Sequence, residues 1–277
     1  MTRWSGRFLG ALAFLSLAAP TLAADIDTHR ALYDLSLASA KPGSGVLGAT
    51  GAMYYEWGET CDSGWTVEQR FRLRLLYAES GGAEISSTLV TWESKDGLRY
   101  RFTERRQRDG TLTEELHGEA HLDGPGKGGE AKFNRPENVN IALKPGVIFP
   151  TAHTLLLIDR AKAGDTFISR AVFDGSSVEN ATQITAVIGP QLKPAPPPAR
   201  QTGGDKDNPL ASPLLQGPAW RVRLAFFPPD SHSETPDYEL GMRLLANGVS
   251  QDMELDYGDY VVKARLDEIE PIPKPAC

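Results

Sequence analysis

The run from Trp65 to Tyr77, WTVEQRFRLRLLY, puts Trp65, Val67, Phe71, Leu73, Leu75 and Tyr77 on odd positions. Thr66, Glu68, Arg70, Arg72 and Arg74 fill the even ones. Successive side chains of an extended chain point to opposite faces, so this period of two predicts a long strand with one apolar and one charged face. The alternation returns at Leu98, Tyr100 and Phe102, at Trp220, Val222, Leu224 and Phe226, at Tyr238, Leu240, Met242 and Leu244, and at Met253, Leu255 and Tyr257. Asp96-Gly97, Asp109-Gly110, Asp174-Gly175 and Asn247-Gly248 lie between such runs. Asx-Gly pairs readily take the positive φ angles of tight hairpins, which predicts antiparallel neighbours. A polar face on each strand agrees, because antiparallel sheets tolerate one wet side.

One segment departs from this pattern. Phe149-Pro150 leads into Thr151, expected as an N-cap, and a helix is predicted near 151–163, ended by Gly164. Leu155, Leu156, Ile158 and Ala163 are expected to face the sheet. Between Gly189 and Pro218 the alternation stops and eight prolines fall, three of them consecutive at Pro196, Pro197 and Pro198. Proline removes donors and the Gly-Gly-Asp-Lys-Asp-Asn run is costly to order, so residues 189–218 are expected to form a flexible loop.

The N-terminus carries Arg3 and Arg7, an apolar run from Phe8 to Ala19, Pro20, and then small residues up to Ala24. This is the layout of a cleavable export signal, residues 1–24, with residues 25–277 expected as a single domain. The apolar run, of about 12 residues, is too short for a bilayer core of about 30 Å. The signal holds both arginines and no acid, so the remainder has a net charge of 27 − 36 = −9. That balance argues against nucleic acid and against electrostatic docking on anionic lipid. Export also bears on the two cysteines, Cys61 and Cys277. In an oxidising compartment two thiols tend to become one disulfide, which is expected here in preference to two unrelated free thiols.

The search for chemistry finds little. His117 and His121 invite a metal reading, but Gly118 stands where the zinc-protease motif needs Glu. On a strand the two histidines would lie about 13 Å apart, too far for one ion. They are expected on a polar surface. No G-x-S-x-G elbow occurs, and Gly124–Gly129 lacks the spacing of a phosphate loop, so it is expected as a hairpin loop. His153 is expected to be neutral, in a capping or packing role, and Asp256 and Asp259 to flank a turn at Gly258. Arg70, Arg72, Arg74, Arg99 and Arg101 are expected to pair with acids across strands rather than to dock an anionic partner. No catalytic residue, metal or cofactor is assigned.

Several segments together resemble a known family: HRALYDLSL at His29–Leu37, CDSGWT at Cys61–Thr66, FPTAHT at Phe149–Thr154, VFDGS at Val172–Ser176, NGVS at Asn247–Ser250, DYGDY at Asp256–Tyr260, and the terminal Cys277. The set resembles the EipB-type cell-envelope integrity proteins of the α-proteobacterial periplasm. The resemblance implies a mainly β fold: a curled antiparallel β-spiral, open rather than a closed barrel, with the helix near its open side and a Cys61–Cys277 disulfide. It implies a periplasmic role in envelope homeostasis and stress tolerance without established catalysis. Partners would be envelope components or periplasmic proteins, lipid or lipoprotein among them. The expected function is a non-catalytic binding or scaffolding module. A carrier of lipid or lipoprotein acyl chains is the first alternative, and an envelope hydrolase the second.

Overall fold

A computed structural model describes residues 26–79, 81–193, 212–229 and 233–277 of the chain. The expected export signal therefore lies outside the described residues, as does the central part of the expected loop. The first strand is His29–Ala40 (β1), followed by Val46–Thr60 (β2), Gly64–Tyr77 (β3), Gly81–Ser94 (β4) and Arg99–Arg108 (β5). Thr111–Leu122 (β6), Gly129–Arg135 (β7) and Val139–Leu143 (β8) complete the first half. A helix, Pro150–Ala163 (α1), leads to Phe167–Val172 (β9), Thr182–Gln191 (β10) and Ala219–Phe227 (β11). Tyr238–Leu245 (β12), Ser250–Asp256 (β13) and Tyr260–Pro271 (β14) follow.

All fourteen strands belong to one sheet in the order β8-β7-β6-β5-β4-β3-β2-β1-β14-β13-β12-β11-β10-β9. Each half of the chain is a meander, and the halves meet where β1 pairs antiparallel with β14. On the inner side of this seam Ala31 faces Ile269 and Leu35 faces Ala264, all buried. On the outer side Arg30 stands opposite Glu270 at 2.6 Å and Asp34 opposite Arg265 at 3.3 Å. Exposed pairs of this kind add little stability, but like charges in a slipped register would repel, so they help select the alignment.

The free edges are β8 and β9, consecutive in the chain and joined by α1. They share no ladder, so the sheet stays open; a single parallel bridge from Ile148 to β9, with two backbone hydrogen bonds of 3.0 Å, and packed side chains close the gap. Phe149 stacks on Tyr100 with centroids 5.0 Å apart, and Phe173 meets Phe102 edge-on at 5.8 Å. Phe102 in turn packs on Phe133 at 5.1 Å. These aromatics form a second core beside the main one built from β1–β4, β9–β14 and α1.

Several sequence expectations need correction. Asp96-Gly97, Asp109-Gly110 and Asn247-Gly248 sit in the β4–β5, β5–β6 and β12–β13 turns. Asp174-Gly175 does not make a tight hairpin; it lies in the longer connection between β9 and β10. A Cβ on Gly175 would stand 2.4 Å from the Phe102 ring, so glycine there permits a close approach as well as a φ of +70°. The helix starts at Pro150, with Phe149 as N-cap, and Thr151 lies inside it without a capping side-chain bond. Proline at the first helical position brings a preset φ and no surplus N–H. Gly164 ends the helix in the left-handed conformation, as expected. Leu157 and Ala161 are buried, whereas Ala163 is exposed. The expected loop at 189–218 is entered from both ends by ordered structure: β10 runs through Gln191, and Leu214 and Leu215 are buried in a short 3-10 turn.

The tail after β14 returns along the chain's start. Thr28 Oγ1 donates to the Ile272 carbonyl at 2.6 Å, and the Ile272 N–H donates to Thr28 at 2.9 Å. Cys277 then forms a disulfide with Cys61, 216 positions earlier, with Cα atoms 5.6 Å apart. The ring so closed spans nearly all of the sheet. Thiol titration of the unfolded, non-reduced protein is expected to find no free thiol. Cys61→Ser and Cys277→Ser are each expected to cost about 2–5 kcal/mol in chemical denaturation, toward the lower end because the chain is large for a secreted domain. Identical stabilities for wild type and both variants would show that the bond adds nothing.

Candidate functional site

Curling turns the apolar sides of the strands toward a common interior. Side chains from β1–β5 and β11–β13 do not fill it. A partly open cavity of about 350 Å³ remains between them and the first turns of α1. Small-molecule sites begin at about 300 Å³. Val67, Leu89, Leu240 and Leu255 line it and are only half-buried. No acidic side chain, lysine or arginine is among its lining residues.

Among the described residues, two buried polar atoms in this wall have no hydrogen-bond partner: Trp57 Nε1 and His153 Nε2. Trp57 projects from β2 and is 2% exposed; His153 projects from α1 and is 4% exposed. Trp57 is also register-paired with His29 of β1. Directly paired residues carry their side chains on the same face with Cβ atoms about 4.5–5.5 Å apart, so these two residues are neighbours in the wall, with the Tyr55 ring 6.1 Å from the His29 ring and 6.3 Å from the Trp57 ring. His29 Nδ1 donates to the Asp27 carbonyl at 2.7 Å. Burial lowers the His29 imidazole and holds it neutral, and with Nδ1 protonated its Nε2 is an acceptor. Burial likewise drives His153 down to about 4, with the Arg170 charge adding to the shift. The neutral histidine expected from sequence is therefore present.

The helix that forms one wall is held by a group that sequence reasoning missed. Glu93 of β4 is 2% exposed, and its carboxylate accepts from the backbone N–H groups of Thr151 and Ala152 at 2.8 Å each. The first N–H groups of a helix have no partner inside it, and the aligned peptide dipoles favour an anion there. Burial pushes the Glu93 carboxyl up to about 7, against these two N–H groups, which favour its ionised form. Only the 58-residue separation from Thr151 hides this cap from a local reading. Glu104 of β5 is also buried and raised to about 7 by desolvation, with Arg106 Nε donating to it at 2.7 Å.

The remaining candidates stand apart from the cavity. His117 and His121 are exposed on β6. Gly124–Gly128 forms the β6–β7 hairpin loop. Asp256 accepts from the Gly258 N–H at 2.9 Å and meets Arg223 at 3.3 Å, while the Asp259 carbonyl accepts from Lys41. In the arginine strip, Arg72 pairs with Glu84 across strands at 2.8 Å and Arg70 with Glu68 along its own strand. Arg101 lies over the Trp92 ring at 4.6 Å. No helix among the described residues is long and apolar enough to cross a membrane.

The comparisons with known proteins agree with this architecture. The model of a family described as EipB-like matches residues 20–273. The chain is 30% identical over 269 residues to the cell envelope integrity protein EipB of Brucella abortus (strain 2308), covering 96% of this chain and 89% of that protein. It also resembles the crystal structure of a beta-barrel-like protein of domain of unknown function DUF1849 from Brucella abortus, with a TM-score of 0.79 and 29% identity. That likeness covers 91% of this chain and 100% of the other.

The buried groups make stability depend on pH in opposite senses. Glu93 and Glu104 have raised folded pKa values, so their contribution is lost as pH rises from about 4.5 through about 7. His153 is lowered, so stability is lost as pH falls from 6.5 through about 4. Comparing His153→Leu with wild type at each pH cancels the carboxylate effects. Between pH 7.5 and pH 5 the difference in unfolding free energy is expected to shift in favour of the variant by about 2 kcal/mol, at ~1.4 kcal/mol per unit of pKa. A difference that stays constant across that range would mean His153 titrates normally. Glu93→Ala is expected to cost about 1–3 kcal/mol at pH 5, the worth of a buried helix cap, and less at pH 8, where its contribution has been lost. A fully retained stability would remove its capping role.

Proposed function

This chain belongs to the EipB-like family, and from that premise we propose that it supports cell-envelope integrity from the periplasm as a non-catalytic binding module that receives an apolar ligand in its concave cavity. The envelope role follows the name of the Brucella abortus relative. The exported location follows the leader-like start of the sequence, and the Cys61–Cys277 disulfide is consistent with it.

The observation that carries the binding reading is the unfilled, uncharged interior. Packed interiors leave few voids larger than a water molecule, because an unfilled space forfeits dispersion contacts along its whole lining. Here half-buried leucines and valine surround a space of small-molecule size. A rigid scaffold for another protein has no need of such a space, whereas a carrier or sensor of an apolar group does. The alternative of an envelope hydrolase would rest on Glu93 and Glu104, whose raised pKa values suit acid-base chemistry. Both have structural work instead: Glu93 holds the α1 N-terminus and Glu104 pairs with Arg106.

The test is complementation of a strain lacking the native copy, scored as growth under detergent stress with protein levels matched. Wild type, His117→Ala and His121→Ala are expected to restore growth fully. Leu89→Arg and Leu240→Arg place a charge at half-buried positions in the cavity wall, and are expected to fail as completely as the deletion while remaining folded. Full function in both arginine variants would reject the cavity as the working surface. A folded Glu104→Gln variant as inactive as the deletion would favour the hydrolase.

A further inference from the structure

The polar atoms of the cavity wall say what kind of apolar ligand it takes. A wall meant for hydrocarbon alone has no use for an indole N–H without an acceptor, since an unmet buried donor is costly. Trp57 Nε1 is such a donor, at 2% exposure for the residue, and it lies on the cavity side of β2. Its register neighbour His29 presents an acceptor, because Nδ1 is committed to the Asp27 carbonyl. His153, whose Nε2 is the other orphaned atom, lines the same space from α1. A donor and an acceptor carried on register-paired residues match a carbonyl with an adjoining N–H or hydroxyl.

Charge narrows the choice. The lining contains no lysine, arginine or acid, and both histidines are held neutral by burial. A carboxylate, phosphate or ammonium group would enter without a counter-charge and would lose its hydration. The rest of the wall is uncharged: Val67, Leu89, Leu240 and Leu255 give it an apolar stretch, and Gln69, Thr91 and Ser250 are neutral polar groups.

We propose that the cavity binds the uncharged carbonyl end of an acyl ester or acyl amide, with Trp57 Nε1 donating to the carbonyl oxygen, His29 and His153 meeting the neighbouring polar group, and the hydrocarbon chain lying along the apolar wall. This rests on the reading of the concave face as a binding surface and adds the chemistry that is recognised there.

The experiment titrates the purified full chain with four ligands of equal chain length below their micellar concentrations: 1-monooctanoylglycerol, N-(2-hydroxyethyl)octanamide, 1-O-octylglycerol and octanoate at pH 7.5. Affinity is read by calorimetry, and the Trp57 indole resonance, identified by its loss in Trp57→Phe, by 1H–15N correlation spectra. The ester is expected to bind about fivefold more tightly than its ether, the worth of one neutral hydrogen bond. The amide should rank with the ester or above it, and octanoate should bind most weakly. The indole proton should move downfield with ester and amide and stay in place with the ether. In Trp57→Phe the ester is expected to lose its advantage over the ether. Equal affinities of ester and ether for wild type, an unmoved indole proton, or preference for octanoate would each overturn the assignment while leaving the cavity a binding site. If none of the four ligands binds, both this assignment and the binding reading fall. The wild-type affinities need no variant, so if Trp57→Phe proves unstable the ester–ether and octanoate comparisons still decide the proposal. A preference between ester and amide identifies which acyl linkage is the better fit, and either supports the proposal.

Discussion

The antiparallel pairing of β1 with β14 is the contact on which the architecture depends. It joins the first and last strands of the chain, so each half of the sequence grows outward from the centre of the sheet. The edges then become β8 and β9, which are neighbours in sequence. That is why one short connection, with α1 in it, reaches from one free edge to the other. Loop closure for such a seam is entropically expensive, since nearly the whole chain lies between the partners. The buried inner pairs, the outer ion pairs and the Cys61–Cys277 bond all act on the same closure, the disulfide by limiting how far the ends separate in the unfolded chain.

The open sheet is finished by side chains and one isolated backbone bridge, Ile148 to Val172, rather than by a ladder. Phe149 and Phe173 flank the helix and β9 in sequence, and both insert among Tyr100, Phe102 and Phe133 of the other edge. Tyr100 adds a hydrogen bond from its hydroxyl to the Asp174 carbonyl at 2.9 Å. Glu93 supplies the remaining tie by receiving two N–H groups from the helix start. Its position links β4, which lines the cavity through Leu89 and Thr91, to the helix that forms another wall. Loss of this one carboxylate would therefore loosen the wall as well as the helix end.

Strand content was legible because its signal is local. Alternation in Trp65–Tyr77 and in Tyr238–Leu244 needs only a few consecutive residues, and the Asx-Gly turns at three of four positions need only two. The disulfide was legible because two cysteines leave one pairing. What escaped is what depends on partners far away in sequence. Thr151 looked like a cap because nothing nearby in the sequence points to Glu93. Asp174-Gly175 looked like a hairpin turn because Phe102, which forces a glycine there, lies in another strand. Of the site, the neutral character of His153 could be anticipated from its place on an apolar helix. The cavity could not, since it is the space left between eight strands and a helix and has no sequence pattern of its own. Trp57 drew no notice at all: a lone tryptophan in an alternating strand reads as core, and only its unmet N–H distinguishes it.

The alternation that determines the strands also accounts for the character of the interior. In β3 and β11 the arginines stand on alternate positions and point outward, where Arg72 meets Glu84 and Arg223 meets Glu239. An acidic chain with a net charge of −7 thus keeps its charges on the convex side, and the concave side is left with aromatic, aliphatic and amide or hydroxyl groups. Glu93 is the exception near the cavity, and it faces the helix N–H groups instead of the open space. In a low-dielectric interior without fixed charge, an ionised ligand group is disfavoured and a single neutral hydrogen bond counts for more than it does in water. Selectivity for uncharged, carbonyl-bearing chains would then follow from the same period-two pattern that folds the sheet, with Trp57 supplying a buried donor that has no partner in the protein.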